Sequence, residues 1–199
     1  MVQTNRETLK KIKLILILFA LGAIGGTLGD LSHVLTGTTG YPQDFYWWYL
    51  PYGLPFWVPL LFGSLTVILG GTHIQMTLGT KSDLGSFQWR FSGSFACLGL
   101  YLVSGFLPWP AGHLSDLVLG LVSFFIWWTW DRSLLGLGGG VVAAILGTSF
   151  EIILVHKQIF YYQPHAANLF GVPSWLPWLY FAAPGTIGNL AVKISQKIE

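Results

Sequence analysis

Apolar residues gather in six long runs along this chain, divided by short polar or turn-rich connections. The runs predict helices over residues 12–35, 54–72, 90–107, 111–130, 134–159 and 174–194. Each is near the roughly 20 residues that a helix needs to cross the hydrocarbon core of a bilayer. The first run follows a basic start, Arg6 to Lys13, and its apolar character continues too far for a signal peptide. It therefore reads as a retained first helix. Gly22, Gly25, Gly26 and Gly29 recur inside it at helical spacing, which lets a second helix approach closely. Pro55 and Pro59 fall at the start of the second run, where they are expected to disturb the helix and open space. Pro108-Trp109-Pro110 ends the third run.

Composition agrees with the pattern. Of 199 residues, 53% are hydrophobic and 9% charged, against about 25% charged in a soluble domain. The fold class is therefore all-α, a six-helix polytopic membrane bundle forming one domain over residues 1–199. A net charge of +2 gives no reason to expect a nucleic-acid partner, and the single Cys97 supports neither a disulfide framework nor a thiolate metal box. Charge does fix an orientation. With six spans, Arg6, Lys10, Lys11, Lys13, Lys81, Arg90, Arg132, Lys193 and Lys197 share one side, and only Lys157 lies on the other. Basic residues in short loops stay in the cytoplasm, so both termini are expected there.

That topology gathers chemistry that the linear sequence disperses. Asp30 and His33 close the first helix, His113 and Asp116 open the fourth, and Glu151 and His156 lie late in the fifth. All belong to the non-cytoplasmic half. Ionisable groups at membrane depth usually face the bundle interior or a wet cavity. Three readings stay open: a metal or acid–base site serving an intramembrane lipid-modifying enzyme, hydrogen-bonding groups for a lipid, or residues solvated at headgroup level. No nucleophile elbow, phosphate loop or zinc-protease motif is present, and no catalytic residue, metal or cofactor is assigned. The glycines of LGLGGG (135–140) read as helix-packing positions, and Cys97 as a small packing residue.

One stretch is distinctive: WWTWDRSLLGLGGG (127–140), three indoles leading into Asp131–Arg132 and a glycine-rich restart. By itself it is an interfacial turn, with Asp131 anchoring the start of the fifth helix and Ser133 assisting. Together with SWLPWLYFAAPGTIGN (174–189), FWVPLLFG (56–63), Trp89-Arg90 and YPQD (41–44), it resembles the Insig (insulin-induced gene) family. The resemblance covers most of the chain from Trp57 onward. It implies six spans around a cavity for a sterol, diacylglycerol or phospholipid, a role in regulating sterol biosynthesis, and membrane-protein partners of the sterol-sensing-domain type or further copies of the chain. It places the protein in the cell membrane of a prokaryote or the endoplasmic reticulum of a eukaryote. Residue by residue, it implies partner binding at Asp131 and Arg132 and a lipid contact at Trp127. Two lipid-contacting positions of the animal proteins, a glutamine and a threonine, are matched here by Leu114 and Val118, which departs from their sterol-binding pattern. Asp30 and His33 are a further departure. With Phe150 and Glu151, they are the candidate lipid-binding residues that the chain's own sequence supplies. A non-enzymatic lipid binder is the function these readings favour.

Overall fold

The computed structural model describes residues 2–43, 48–77, 85–107 and 114–198, with side chains from Arg6 onward. Six α-helices run through them: α1 Val2–Leu35, α2 Trp57–Thr77, α3 Phe87–Ser104, α4 Leu114–Trp130, α5 Leu134–His156 and α6 Leu176–Ile198. A two-residue antiparallel pairing joins β1 (Thr39–Gly40) to β2 (Tyr161–Tyr162), with Thr39 opposite Tyr162. The ends of α1, α3 and α5 and the beginnings of α2, α4 and α6 share one end, here the distal end. The other is the terminal end.

The bundle is apolar on its outside. In the membrane-length stretches of α1 and α5 only 11% of the most apolar window is buried, so their Leu, Ile and Val side chains face outward, as they do toward lipid. The inside is held by small residues. A Cβ at Gly22 or Gly26 of α1 would overlap Thr66 or Phe62 of α2. On α5, one at Gly140 or Gly147 would strike Phe181 or Tyr180 of α6. α6 is the hub and packs against all five other helices. Its buried face runs from Leu176 and Phe181 through Gly185, Thr186 and Asn189 to Ile194. α2 and α5 each lie along α6 but hardly meet one another, leaving a cleft between them.

Several boundaries move for local reasons. α1 reaches back to Val2, about 51 Å at 1.5 Å per residue, so its basic first turns project beyond an apolar core of about 30 Å. Pro55 lies before α2, bridged to Tyr49, and Pro59 sits in its first turn, where no intrahelical amide bond is lost. The prolines therefore break no hydrogen bond within α2, and the cleft between α2 and α5 lies beside this first turn, at Trp57 and Leu61. α2 continues to Thr77, beyond the second apolar run, and takes in His73. α3 begins earlier than expected because Ser86 caps it, accepting from the Trp89 amide at 3.1 Å. α5 stops at His156, and Gln158 (φ 57°) turns the chain away.

Candidate functional site

The distal end contains a carboxyl–phenol centre. Glu151, on α5, accepts hydrogen bonds from Tyr162 of β2 and Tyr180 of α6, both at 2.5 Å. Asp30, near the end of α1, accepts one from Tyr41 at 2.7 Å. The β1–β2 pairing brings the two halves together, since Tyr41 follows β1 and Tyr162 ends β2. Asp30 and Glu151 are close enough to feel one another's charge. Neither has an ion-pair partner among the described residues. Burial, reinforced by Asp30, pushes the Tyr41 phenol well above its usual range, and burial with Glu151 does the same to Tyr162. Both phenols thus stay protonated and act as donors.

Neighbouring residues connect this centre to the cleft. Between α2 and α5 lies a cavity of about 290 Å³, walled by Trp57, Leu61, Phe150, Leu154 and Ile159. Phe150 and Leu154 flank Glu151 on the same turn of α5. Tyr41 stands edge-on to Trp57 at 5.8 Å and tilted against Phe160 at 5.9 Å. The cavity itself is lined by apolar side chains, and the carboxyl–phenol centre reaches it only through neighbours, Glu151 adjoining Phe150 in α5 and Tyr41 packing on Trp57.

The remaining residues singled out from sequence lie elsewhere. His33 is 2% exposed and is not brought to the cleft. Its Nε2 meets Ser104 Oγ at 2.8 Å, and that hydroxyl already donates to the Tyr101 carbonyl at 2.7 Å, so the imidazole is the donor. Tyr101 and Trp175 meet its ring edge-on at 4.9 and 5.6 Å. Asp116 accepts from Ser174 Oγ at 2.7 and 2.9 Å, pinning the start of α6 to α4, so it does not join Asp30 and Glu151. His156 is exposed at the end of α5, and His113 lies outside the described residues. Leu114 and Val118 are 56% and 38% exposed on the outward face of α4. Trp127 packs on Phe124 at 5.1 Å and donates to the Ser133 carbonyl at 3.1 Å, near the terminal end.

That end has a polar centre of its own. Asp131 Oδ1 accepts from Ser133 Oγ at 2.8 Å and from Asn189 Nδ2 of α6 at 2.9 Å. Its Oδ2 is buried without a hydrogen-bond partner among the described residues. A Cβ at Gly136 or Gly185 would run into the carboxylate. The helix cap is Ser133 rather than Asp131: its hydroxyl accepts from the Gly136 amide at 2.9 Å while donating to Asp131. His73 of α2 engages Asn189 and lies within electrostatic reach of Asp131 and Arg90. Arg132 instead points outward, its guanidinium 5.2 Å above the Trp128 ring. Its positive φ of 59° lets its amide close onto the Trp127 carbonyl and end α4.

Sequence reasoning missed the three tyrosines and the His73–Asn189 pair. The tyrosines carry no periodic signal, because two of them are placed by loops and a short β pairing. Asn189 did leave one, as an amide inside an apolar helix.

A six-helix bundle with an apolar exterior defines the class: a polytopic integral membrane protein. The Insig homologue of Mycolicibacterium vanbaalenii is 34% identical over 183 residues, covering 88% of this chain and 85% of that protein. Human insulin-induced gene 1 protein is 25% identical over 189 residues, 92% of this chain and 66% of the human one. Two crystal structures of the mycobacterial homologue MvINS superpose on the fold. A cross-linked trimer gives a TM-score of 0.81 at 30% identity, covering 92% of this chain and 94% of that one. The other gives 0.79 at 31% identity, covering 90% and 93%. No family model matches the chain. The chain belongs to the Insig family.

Proposed function

We propose that this chain is a non-enzymatic lipid-binding protein that holds a neutral, hydroxyl-bearing lipid of the diacylglycerol or sterol type in the α2–α5 cleft. The observation that carries this reading is a carboxyl–phenol centre without an ion-pair partner among the described residues, one residue along α5 from Phe150 and one ring contact from Trp57 of the apolar cleft. A lipid hydroxyl can donate to Glu151 or accept from a phenol. A phosphate would instead meet two carboxyl groups, which selects against a phospholipid there. Apolar walls alone discriminate little inside a bilayer, because lipid tails are as apolar as the walls, so selection falls to the polar base. In this reading Phe150, Glu151 and Asp30 serve the ligand. His33 supports the fold beside it, and Trp127, Leu114 and Val118 face the surrounding lipid.

The regulatory part of the proposal is contact with other membrane proteins or with further copies of the chain, through the outer faces of the bundle and the exposed Arg132. The trimer of MvINS supports the second of these. Both termini are cytoplasmic in this reading, because the basic residues of the terminal end would otherwise cross the membrane.

Lipids extracted from protein purified in mild detergent and quantified by mass spectrometry test the binding proposal. One hydroxyl-bearing neutral lipid class should stand several-fold above its share of the membrane, and Glu151→Leu should lose that enrichment while remaining folded. Bulk lipids in bulk proportions from both proteins would refute it.

A further inference from the structure

We propose that the terminal end of the bundle binds one anionic glycerophospholipid in a groove between α1, α3 and α6, its phosphate held between Lys13 and Lys197. The groove encloses about 340 Å³ and is walled by Ile17, Leu21, Phe91 and Leu190, with the two lysines among its lining residues. It is separate from the α2–α5 cleft and shares no lining residue with it.

The polarity of the groove is directional. On α1, Leu21 lies eight residues deeper than Lys13, about 12 Å at 1.5 Å per residue. On α6, Leu190 lies seven residues deeper than Lys197, about 10 Å. Both cations therefore stand at the rim and both apolar walls run inward from them. That is the shape of a headgroup site continuing into an acyl-chain slot.

The cations are positioned and available. The Lys197 ammonium sits 3.8 Å from the centre of the Phe87 ring, which holds its stem at the rim while leaving N–H groups to donate. Lys13 is exposed, and the acid nearest it along its own helix, Glu7, is taken by Lys10 at 3.5 Å. A zwitterionic lipid would leave the lysine pair without net compensation. A phosphate carrying net negative charge satisfies it, as lysines do for phosphates generally. Each lysine near an anionic headgroup contributes about a fivefold preference, so the pair gives a preference of about 25-fold.

Native mass spectrometry of the full chain, released from detergent with equimolar phosphatidylglycerol and phosphatidylcholine of identical chains, tests this. The wild-type protein should retain phosphatidylglycerol by about tenfold or more over phosphatidylcholine. Lys13→Gln/Lys197→Gln should bring the two within about twofold, whereas Lys10→Gln/Lys11→Gln, outside the groove, should keep the preference. Leu21→Trp keeps both lysines but fills the slot, and should also lose the bound phosphatidylglycerol without lowering the melting temperature. A preference that persists in Lys13→Gln/Lys197→Gln overturns the proposal. So does an equal loss in the Lys10/Lys11 variant, which would mean a diffuse basic surface. A change of oligomeric state with the lipid count unchanged would mean that copies of the chain occupy the groove, and would overturn it as well.

Discussion

Asp131 separates a structural role from a partner contact more sharply than any other residue in the chain. Similarity to the Insig family implies that it serves a partner, yet its carboxylate faces Asn189, Ser133, Gly136 and Gly185 of its own fold. Asp131→Ala removes the acceptor from Asn189, which is 3% exposed. Interhelical hydrogen bonds in bilayers average about 0.6 kcal/mol, but stranding a buried donor costs about 1–3 kcal/mol. The second effect dominates, and with the Ser133 bond the loss comes to about 2–3 kcal/mol. For a chain of this size that corresponds to a melting temperature lower by about 4–12 °C. The assay is thermal unfolding in detergent, followed by tryptophan emission, with Arg132→Ala beside it. Arg132 is exposed and joins no buried network, so its variant should melt with the wild type. Asp131→Ala melting within about 1 °C of the wild type would refute the structural reasoning and return the residue to a pure partner role.

Further outcomes follow from single contacts. Ser104→Ala takes the acceptor from the buried His33 imidazole and should cost about 1–3 kcal/mol in the same melting assay, with no change in retained lipid. Gly29→Val would drive a side chain into the Tyr101 ring and force α1 away from α3, so the expected result is loss of folded protein in size-exclusion chromatography. Reporter fusions after residues 80 and 165 should report opposite sides of the membrane, the first cytoplasmic; identical readouts would overturn the orientation.

The spans were legible in the sequence because lipid leaves few alternatives: every backbone polar group must be satisfied internally, so long apolar runs become helices. Their ends were less so. Pro59 looks like a breaker by residue type but occupies the first turn of α2, and His73 looks like a loop residue but is buried where Gly188 of α6 leaves room for its ring. Half of the distal site was legible, since Asp30 and Glu151 stand out as acids in apolar runs. Their partners were not. Tyr41 and Tyr162 reach them through a two-residue β pairing with no periodic signature, and nothing in the sequence tells Tyr180 from the interfacial aromatics around it. His33 shows the opposite failure. One turn from Asp30, it looked like half of a ligand pair, yet Ser104, 71 residues away, satisfies it.

The two lipid sites argued for this chain differ in electrostatics rather than in walls. Both are lined by Leu, Ile and Phe, and in a membrane such linings hold one tail about as well as another. At the distal end the nearest polar groups are two carboxyl groups and three phenols, which in the proposed site would disfavour phosphate and suit a hydroxyl. At the terminal end the rim is two lysines, suited to phosphate and indifferent to a hydroxyl. α6 connects them, with Tyr180 on Glu151 at one end and Leu190 and Lys197 in the groove at the other. The gathering of basic groups at one end, from which the topology was read, would on these proposals also sort lipids within one helical bundle. It makes the sites separable by experiment: Glu151→Leu should leave phosphatidylglycerol retention intact, and Lys13→Gln/Lys197→Gln should leave the neutral lipid in place. Loss of both lipids from either variant would mean that the two sites are one.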